Sequence, residues 1–259
     1  MTFVLPSSHP SSLQIYSPQS SSLLSELEIS PSNRVSRRED KPITPACVEK
    51  VVISSCGLWM ATVDCRMGGA DFRSEVYLKF WSWVRKEGTW TLNTRIDKPH
   101  GSFKITDINF SPDFRQLQTS LLVSTGDDYR IKVWQLHSVP GTDSSMSILF
   151  YFVHQLTYSD IWISLATFTF RSEKPISVSW SHDSSLFAVA AGPHLALYDP
   201  FTKSLHQTLT TPNSPPIQFV HFMQGQQGFL LSSASKILTM WDLIHNRGNF
   251  PSLVSFFDQ

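Results

Sequence analysis

The sequence predicts an all-β fold built from repeated small antiparallel sheets, and three observations carry that prediction. Apolar residues alternate with polar ones far more often than they recur at helical spacing. Aromatic residues make up 12% of the 259 positions and charged residues only 16%, a balance that suits sheet faces, which flat side chains fill well. A cadence also repeats along the chain: an apolar strand, a turn of Ser, Pro, Asp or Gly, a second apolar strand, and a third strand that closes on an aromatic residue. A chain of this length can hide roughly 70–75% of its unfolded surface on folding. A sizeable core is therefore available.

The first element lies in "SLQIYSPQSSSLLSEL", residues 12–27, which composition alone would assign to a disordered tail. It runs in register with "HLALYDPFTKSLHQTL", residues 194–209, at a constant offset of 182, with Leu13, Tyr16, Pro18, Ser22, Leu23 and Leu27 opposite identical residues. Residues 12–30 thus read as the third and fourth strands of a unit whose beginning is missing. The next copy is "VVISSCGLWMATVD" leading to "VYLKFW" at Trp81, and after it comes "ITDINFSPDFRQLQTSLLVSTGDDYRIKVW", closing at Trp134. "ISVSWSHDSSLFAVAAGPHLALYD" closes at Tyr198, and "IQFVHFMQGQQGFLLSSASKILTMWD" at Trp241. Spacings of 53, 64 and 43 residues separate these aromatics. The last matches a WD-type propeller blade, and loop insertions account for the other two.

Edge strands complete the blades, because "WTLNTRI", "LATFTF" and "SLHQTL" alternate as half-exposed strands should. The expected units are residues 1–45 (a partial blade and connector), 46–97, 98–170 with an apolar insertion, 171–211 and 212–259. Each blade is a twisted sheet that is apolar on both faces because each face packs on a neighbour. About four and a half blades do not close a WD-type ring of roughly seven or eight. The sequence therefore reads as an incomplete propeller, a portion of a larger protein or a truncated gene product.

Composition and motifs narrow the function classes. Basic and acidic residues balance at 21 each, so a nucleic-acid role would need a local patch. Cys47, Cys56 and Cys65 lack the tight C-x2-4-C pairing of zinc sites and read as buried strand thiols of a reducing compartment. No charged-then-apolar leader precedes the first strand-like segment. In "SILFYFVHQLTYSDIWISLATFTF", residues 147–170, the polar His154, Gln155 and Asp160 interrupt the apolar run. Two buried strands are expected there rather than a membrane span.

No His pairing suited to a metal and no phosphate-binding Gly loop occurs, so no catalytic residue, metal or cofactor is expected. "SHD" at 181–183 holds a nucleophile, a base and an acid, but adjacent residues on a turn point in different directions and cannot converge on a substrate. One blade carries a hydrogen-bonded set: Asp128 in the tight turn before Trp134, Ser124 or Thr125 on the preceding strand, and His100 in the incoming loop. Such a set satisfies buried polar groups together and is structural. Two basic groupings remain, Arg34, Arg37 and Arg38 in "NRVSRREDK", and Arg66 and Arg73 in the loop of the first full blade. Forked guanidinium donors suit phosphate, while a solvated connector is the more ordinary reading.

The strings "ELEISPSNRVSRREDKPITPACVEKVVIS", "WMATVD", "FRSEVYLKFWSW", "WTLNTRIDKPHG", "ITDINFSPD" and "SVSWSHDSSLFAVAAGPHLALYDP" together resemble the fungal members of one WD-repeat family. It is the tandem-propeller subunit family of the t-UTP (UtpA) subcomplex of the small-subunit processome, the family of WD repeat-containing protein seventy-five. The resemblance implies a non-catalytic nucleolar scaffold that joins other UtpA subunits and the 5′ external transcribed spacer of pre-ribosomal RNA. It further implies support of 18S rRNA maturation and of RNA polymerase I transcription, with no membrane and no small-molecule substrate. A generic WD-repeat adaptor of the ubiquitin-ligase or vesicle-coat type is the competing reading. The apolar stretch 144–158 departs from the polar connector expected in the family.

Overall fold

The computed structural model describes residues 2–31, 44–69, 73–112, 120–140, 158–210, 215–223, 228–235, 237–244 and 252–254. Among them there is no helix, and the strands form five antiparallel sheets in chain order. The first sheet holds β1 (Phe3–Pro6), β2 (Ser12–Ser17) and β3 (Ser22–Glu28). The second holds β4 (Cys47–Ile53), β5 (Trp59–Arg66), β6 (Glu75–Val84) and β7 (Thr89–Asp97), and the short β8 (Pro99–Ser102) leads to the next. In the third are β9 (Ile105–Phe110), β10 (Leu121–Gly126), β11 (Arg130–Pro140) and β12 (Tyr158–Thr169). The fourth contains β13 (Pro175–Trp180), β14 (Phe187–Ala191), β15 (His194–Asp199) and β16 (Ser204–Thr210). β17 (Phe219–Phe222), β18 (Phe229–Ala234), β19 (Ile237–Asp242) and β20 (Ser252–Val254) make the fifth.

The closing aromatics explain why the sheets repeat. Trp81, Trp134, Tyr198 and Trp241 all lie on the third strand of their sheet. Each faces the preceding sheet: Trp81 packs with Leu13 and Ile15, Trp134 with Ala61 and Leu78, Tyr198 with Val123 and Val133, and Trp241 against Ala188 and Leu197. The pairing of third with fourth strand slips by one residue at Phe80/Trp81, Val133/Trp134 and Leu197/Tyr198. An extra residue there adds local twist and re-aims the bulky ring. The slip recurs at Ile15/Tyr16, so the offset of 182 carries a strand, a hairpin and a bulge. It even carries the left-handed turn residue, Ser21 at φ 49° opposite Lys203 at φ 54°.

The second strands of the three inner sheets are sealed on both sides. All eight residues of β5, all six of β10 and all five of β14 are buried. Leu122 faces the second sheet while Leu121 and Val123 face the fourth; Phe187 and Val189 face the third while Ala188 and Ala190 face the fifth. Period-2 alternation therefore serves two interfaces at once. Each fully buried large apolar chain stabilises by about 1.5–3 kcal/mol.

Between the second and third sheets an additional ring completes the interface. Trp162 on β12 stacks on Phe80 at 4.2 Å and 5° and meets Trp59 and Phe110 edge-on at 5.6 Å. Its backbone N–H donates to Thr94 Oγ1 of β7 at 3.1 Å, which fixes the long outer strand against its neighbour. The expectation of buried strands over 147–170 is corrected for its described part: residues 158–169 form an outer strand on which Ile161 and Ile163 are exposed and Trp162 is buried. An outer strand has only one covered face. Residues 141–157 lie outside the described residues. The thiols are corrected too. Cys47 and Cys56 are exposed, and Cys65 alone is buried, where burial, with Glu49 beside it, pushes its thiol up to about 12.

Trp162 Nε1 has no hydrogen-bond partner among the described residues, so the ring acts through packing alone. Replacing Trp162 by Ala should cost about 3–5 kcal/mol in denaturant unfolding. Trp162→Phe keeps a stackable ring, loses no hydrogen bond, and should cost under about 2 kcal/mol.

Candidate functional site

A hydrogen-bonded polar cluster joins β8, the β10–β11 turn and the third-strand Trp134. His100 Nδ1 donates to Asp128 Oδ1 at 2.7 Å, Ser124 Oγ donates to His100 Nε2 at 2.8 Å, and Trp134 Nε1 donates to Ser124 Oγ at 2.9 Å. Asp128 Oδ1 also accepts the Arg130 backbone N–H at 3.2 Å, which shapes the turn. Every donor in this chain finds an acceptor only if His100 is neutral with its proton on Nδ1. Burial holds the His100 pKa below its ordinary value, against the pull of the Asp128 carboxylate.

Asp128, His100 and Ser124 thus stand in the order of a serine-hydrolase triad, yet the arrangement is closed to a substrate. Ser124 is 0% and His100 1% exposed, and the hydroxyl is engaged by both the imidazole and the indole. A nucleophile needs an accessible oxygen and room for a carbonyl. What the set does is satisfy the buried Trp134, Ser124 and His100 together with the half-buried Asp128. In "SHD", Asp183 accepts from the Ser181 hydroxyl at 2.7 Å and from the Ser185 N–H at 3.1 Å, closing a turn.

The same plan recurs with other residues. Trp81 Nε1 donates to Thr62 Oγ1 at 3.0 Å and Trp241 Nε1 to Ser232 Oγ at 2.9 Å. In each case the hydroxyl lies two residues past the residue paired with the Trp. At the position two before Trp81 and Trp134 stands a lysine. Lys79 Nζ donates to Ile29 O at 2.6 Å, and Lys132 Nζ to Pro99 O at 2.6 Å, tying each blade to the segment entering it. Lys79 also pairs with Asp64 at 2.9 Å, both nearly fully buried. Burial raises the Asp64 pKa and lowers that of Lys79, each opposed by the partner's charge. Sequence reasoning missed both lysines, although "LKFW" and "IKVW" repeat in plain view.

The five arginines separate. Arg34, Arg37 and Arg38 fall in 32–43, outside the described residues. Arg73 is exposed beside β6. Arg66 is corrected: it ends β5 rather than sitting in a loop, is 8% exposed, and lies 3.8 Å from Glu75.

Sheets packed face to face in chain order, four of the five closed by an aromatic on the third strand, with a hydrogen-bonded Trp–Ser–His–Asp chain, define a WD40-type β-propeller, present here as an incomplete one. The family described as the second beta-propeller of WD repeat-containing protein 75 matches residues 2–252, and the chain belongs to that family. Its curated relatives include WD repeat-containing protein 75 of Xenopus laevis, 27% identical over 198 residues, which are 75% of this chain and 22% of the relative. The same-named protein of Homo sapiens is 27% identical over 199 residues, 77% of this chain and 22% of the relative. U3 small nucleolar RNA-associated protein 17 of Schizosaccharomyces pombe is 23% identical over 201 residues, 75% of this chain and 23% of the relative. The chain spans less than a quarter of the length of these relatives.

An ideal Cβ on Gly126 would lie 2.5 Å from His100 Nδ1 and 2.8 Å from Asp128 Oδ1. Gly126→Ala should therefore push the pair apart and lower stability by about 1–3 kcal/mol in urea unfolding. The pH dependence follows from the lowered His100 pKa. The unfolded imidazole, with a pKa of about 6.5, takes up its proton before the folded one does, so stability is lost as pH falls below about 6.5. Melting temperatures at pH 7.5 and 5.5 should fall further apart for the parent chain than for His100→Gln.

Proposed function

We propose that this chain is part of a non-catalytic scaffold of ribosome assembly, acting in the nucleolus within the UtpA (t-UTP) subcomplex of the small-subunit processome. On this reading it serves early 18S rRNA maturation and RNA polymerase I transcription by presenting blade edges and loops to other UtpA subunits. It meets the 5′ external transcribed spacer of pre-ribosomal RNA directly or through those subunits. The observation that carries the reading is the family match across residues 2–252 on a propeller. The name of the fission-yeast relative, which places that protein with U3 small nucleolar RNA, supports it. So does the sealing of the Ser124–His100–Asp128 set inside an interface, which leaves binding as the use of the surface.

Within the proposal, Arg34, Arg37, Arg38 and Arg73 are candidate phosphate contacts, since a guanidinium offers forked donors that are always charged. Arg66, buried and 3.8 Å from Glu75, is not among them.

The test is affinity purification of the tagged full-length protein. Processome proteins and pre-rRNA should co-purify, and replacing the four arginines by Ala should lower crosslinking to RNA and flatten its salt dependence. Co-purification of ubiquitin-ligase or coat components in their place would overturn the assignment in favour of a general adaptor.

A further inference from the structure

Three loops on one rim of the propeller are pinned together. The segment 98–104, which holds β8, is tied to the turn 126–130 by the His100–Asp128 bond and by Asp127 N–H donating to Lys104 O at 2.9 Å. The loop 171–174 joins them through Lys174 Nζ, 2.9 Å from Asp127 Oδ1. On this platform Phe103 is 55% and Tyr129 48% exposed. Lys98, Arg130 and Arg171, on the same three segments, are exposed as well, Arg171 lying 5.3 Å from the Phe170 ring. None of the three cations has a carboxylate within ion-pair distance among the described residues, whereas Lys104 is matched by Glu49 at 3.2 Å.

The backbone adds a second observation. Lys98 (φ 51°), Tyr129 (φ 62°), Arg171 (φ 44°) and Ser172 (φ 55°) all adopt the left-handed conformation. Those four are half of the positive-φ non-glycine residues described, and they fall in just two loops and one turn. Gly or Asn would hold such positions without strain, yet three carry long, exposed cationic or aromatic side chains. Strain kept at exposed sites points to a use for the side chains themselves.

We infer that this rim binds single-stranded nucleic acid, with Phe103 and Tyr129 stacking on bases and Lys98, Arg130 and Arg171 contacting the phosphates between them. Exposed aromatics interleaved with unpaired cations match that ligand, because each base offers a face to stack on and each linkage a charge. An acidic peptide would use the cations and leave the two rings idle. The inference rests on the proposed scaffold role and gives its surface a ligand class.

The test uses the purified full chain, a fluorescein-labelled oligouridine of about 16 nucleotides and a polyglutamate peptide. Phe103→Ala with Tyr129→Gly should raise the oligouridine Kd about tenfold or more. Lys98→Gly with Arg130→Gln and Arg171→Gly should make the slope of log K against log salt shallower by about 2. Because glycine suits the left-handed positions, Lys98→Gly, Tyr129→Gly and Arg171→Gly should each hold or raise the melting temperature, which separates lost binding from lost folding. The inference is overturned if the aromatic pair leaves oligouridine affinity unchanged, or if polyglutamate displaces the oligouridine as well as unlabelled RNA does. Failure of processome co-purification with oligouridine binding intact would sink the scaffold assignment alone. The converse result would sink the rim.

Discussion

The architecture depends on the second strands of its three inner sheets being buried on both faces. A strand in an ordinary two-layer protein has one wet side on which polar residues are free to sit. Here β5, β10 and β14 have none, so every polar side chain on them must find a partner inside an interface or cost the full penalty of desolvation. The indole–hydroxyl bonds from Trp81, Trp134 and Trp241 are the recurrent answer. Where the fourth sheet replaces Trp by Tyr198, Val189 stands in place of the hydroxyl, and the phenol points to Thr169 O at 3.5 Å. Aromatic and hydroxyl change together because neither is satisfied alone.

The same logic separates a Ser–His–Asp chain that holds a fold together from one that catalyses. Geometry does not distinguish them, since both align carboxylate, imidazole and hydroxyl at hydrogen-bond distance. Access and occupancy do. Ser124 is enclosed and its oxygen is shared with Trp134, so its chemistry is exhausted by structure. Lacing between sheets follows a similar rule on the inner strands. Asp107 accepts the Val178 N–H at 2.9 Å, and one blade later Ser179 accepts the Phe222 N–H at 3.0 Å. Buried backbone donors at sheet edges are thereby met by the next sheet's side chains.

Much of this was legible in the sequence because both the period and the closing aromatics are local. The offset of 182 located β2 and β3 in a stretch that composition assigns to a tail, and the Asp128–His100 relation followed from the turn before Trp134. What could not be read was where a strand ends and what its side chains reach once packed. Arg66 looks like a loop residue beside Gly68 and Gly69, yet β5 runs to it and turns it inward against Glu75. Trp162 sits in an apolar run that resembles two core strands, and only the pairing of β12 with β11 shows that a single outer strand places one ring inside. Lys79 and Lys132 escaped notice because charged residues on a strand suggest a solvated face, whereas their ammonium groups reach the carbonyls of Ile29 and Pro99 within the packing.

In the second, third and fourth sheets, whose faces are consumed by packing, only the loops and outer edges are left to meet a partner, and side chains kept for that use should show there. They do so on the His100 rim. The network from Trp134 to Asp128 anchors the base of β8 and of the β10–β11 turn from within, and Lys174 of a third segment lies 2.9 Å from Asp127 nearer the surface. A loop fixed from below can tolerate left-handed residues above, since the cost of each is met by a framework that is already rigid. The buried hydrogen-bonded chain and the exposed Phe103 and Tyr129 are therefore two ends of one device. The interior satisfaction of Ser124 and His100 is what allows Tyr129 and Lys98 to be held, against their own backbone preference, facing solvent.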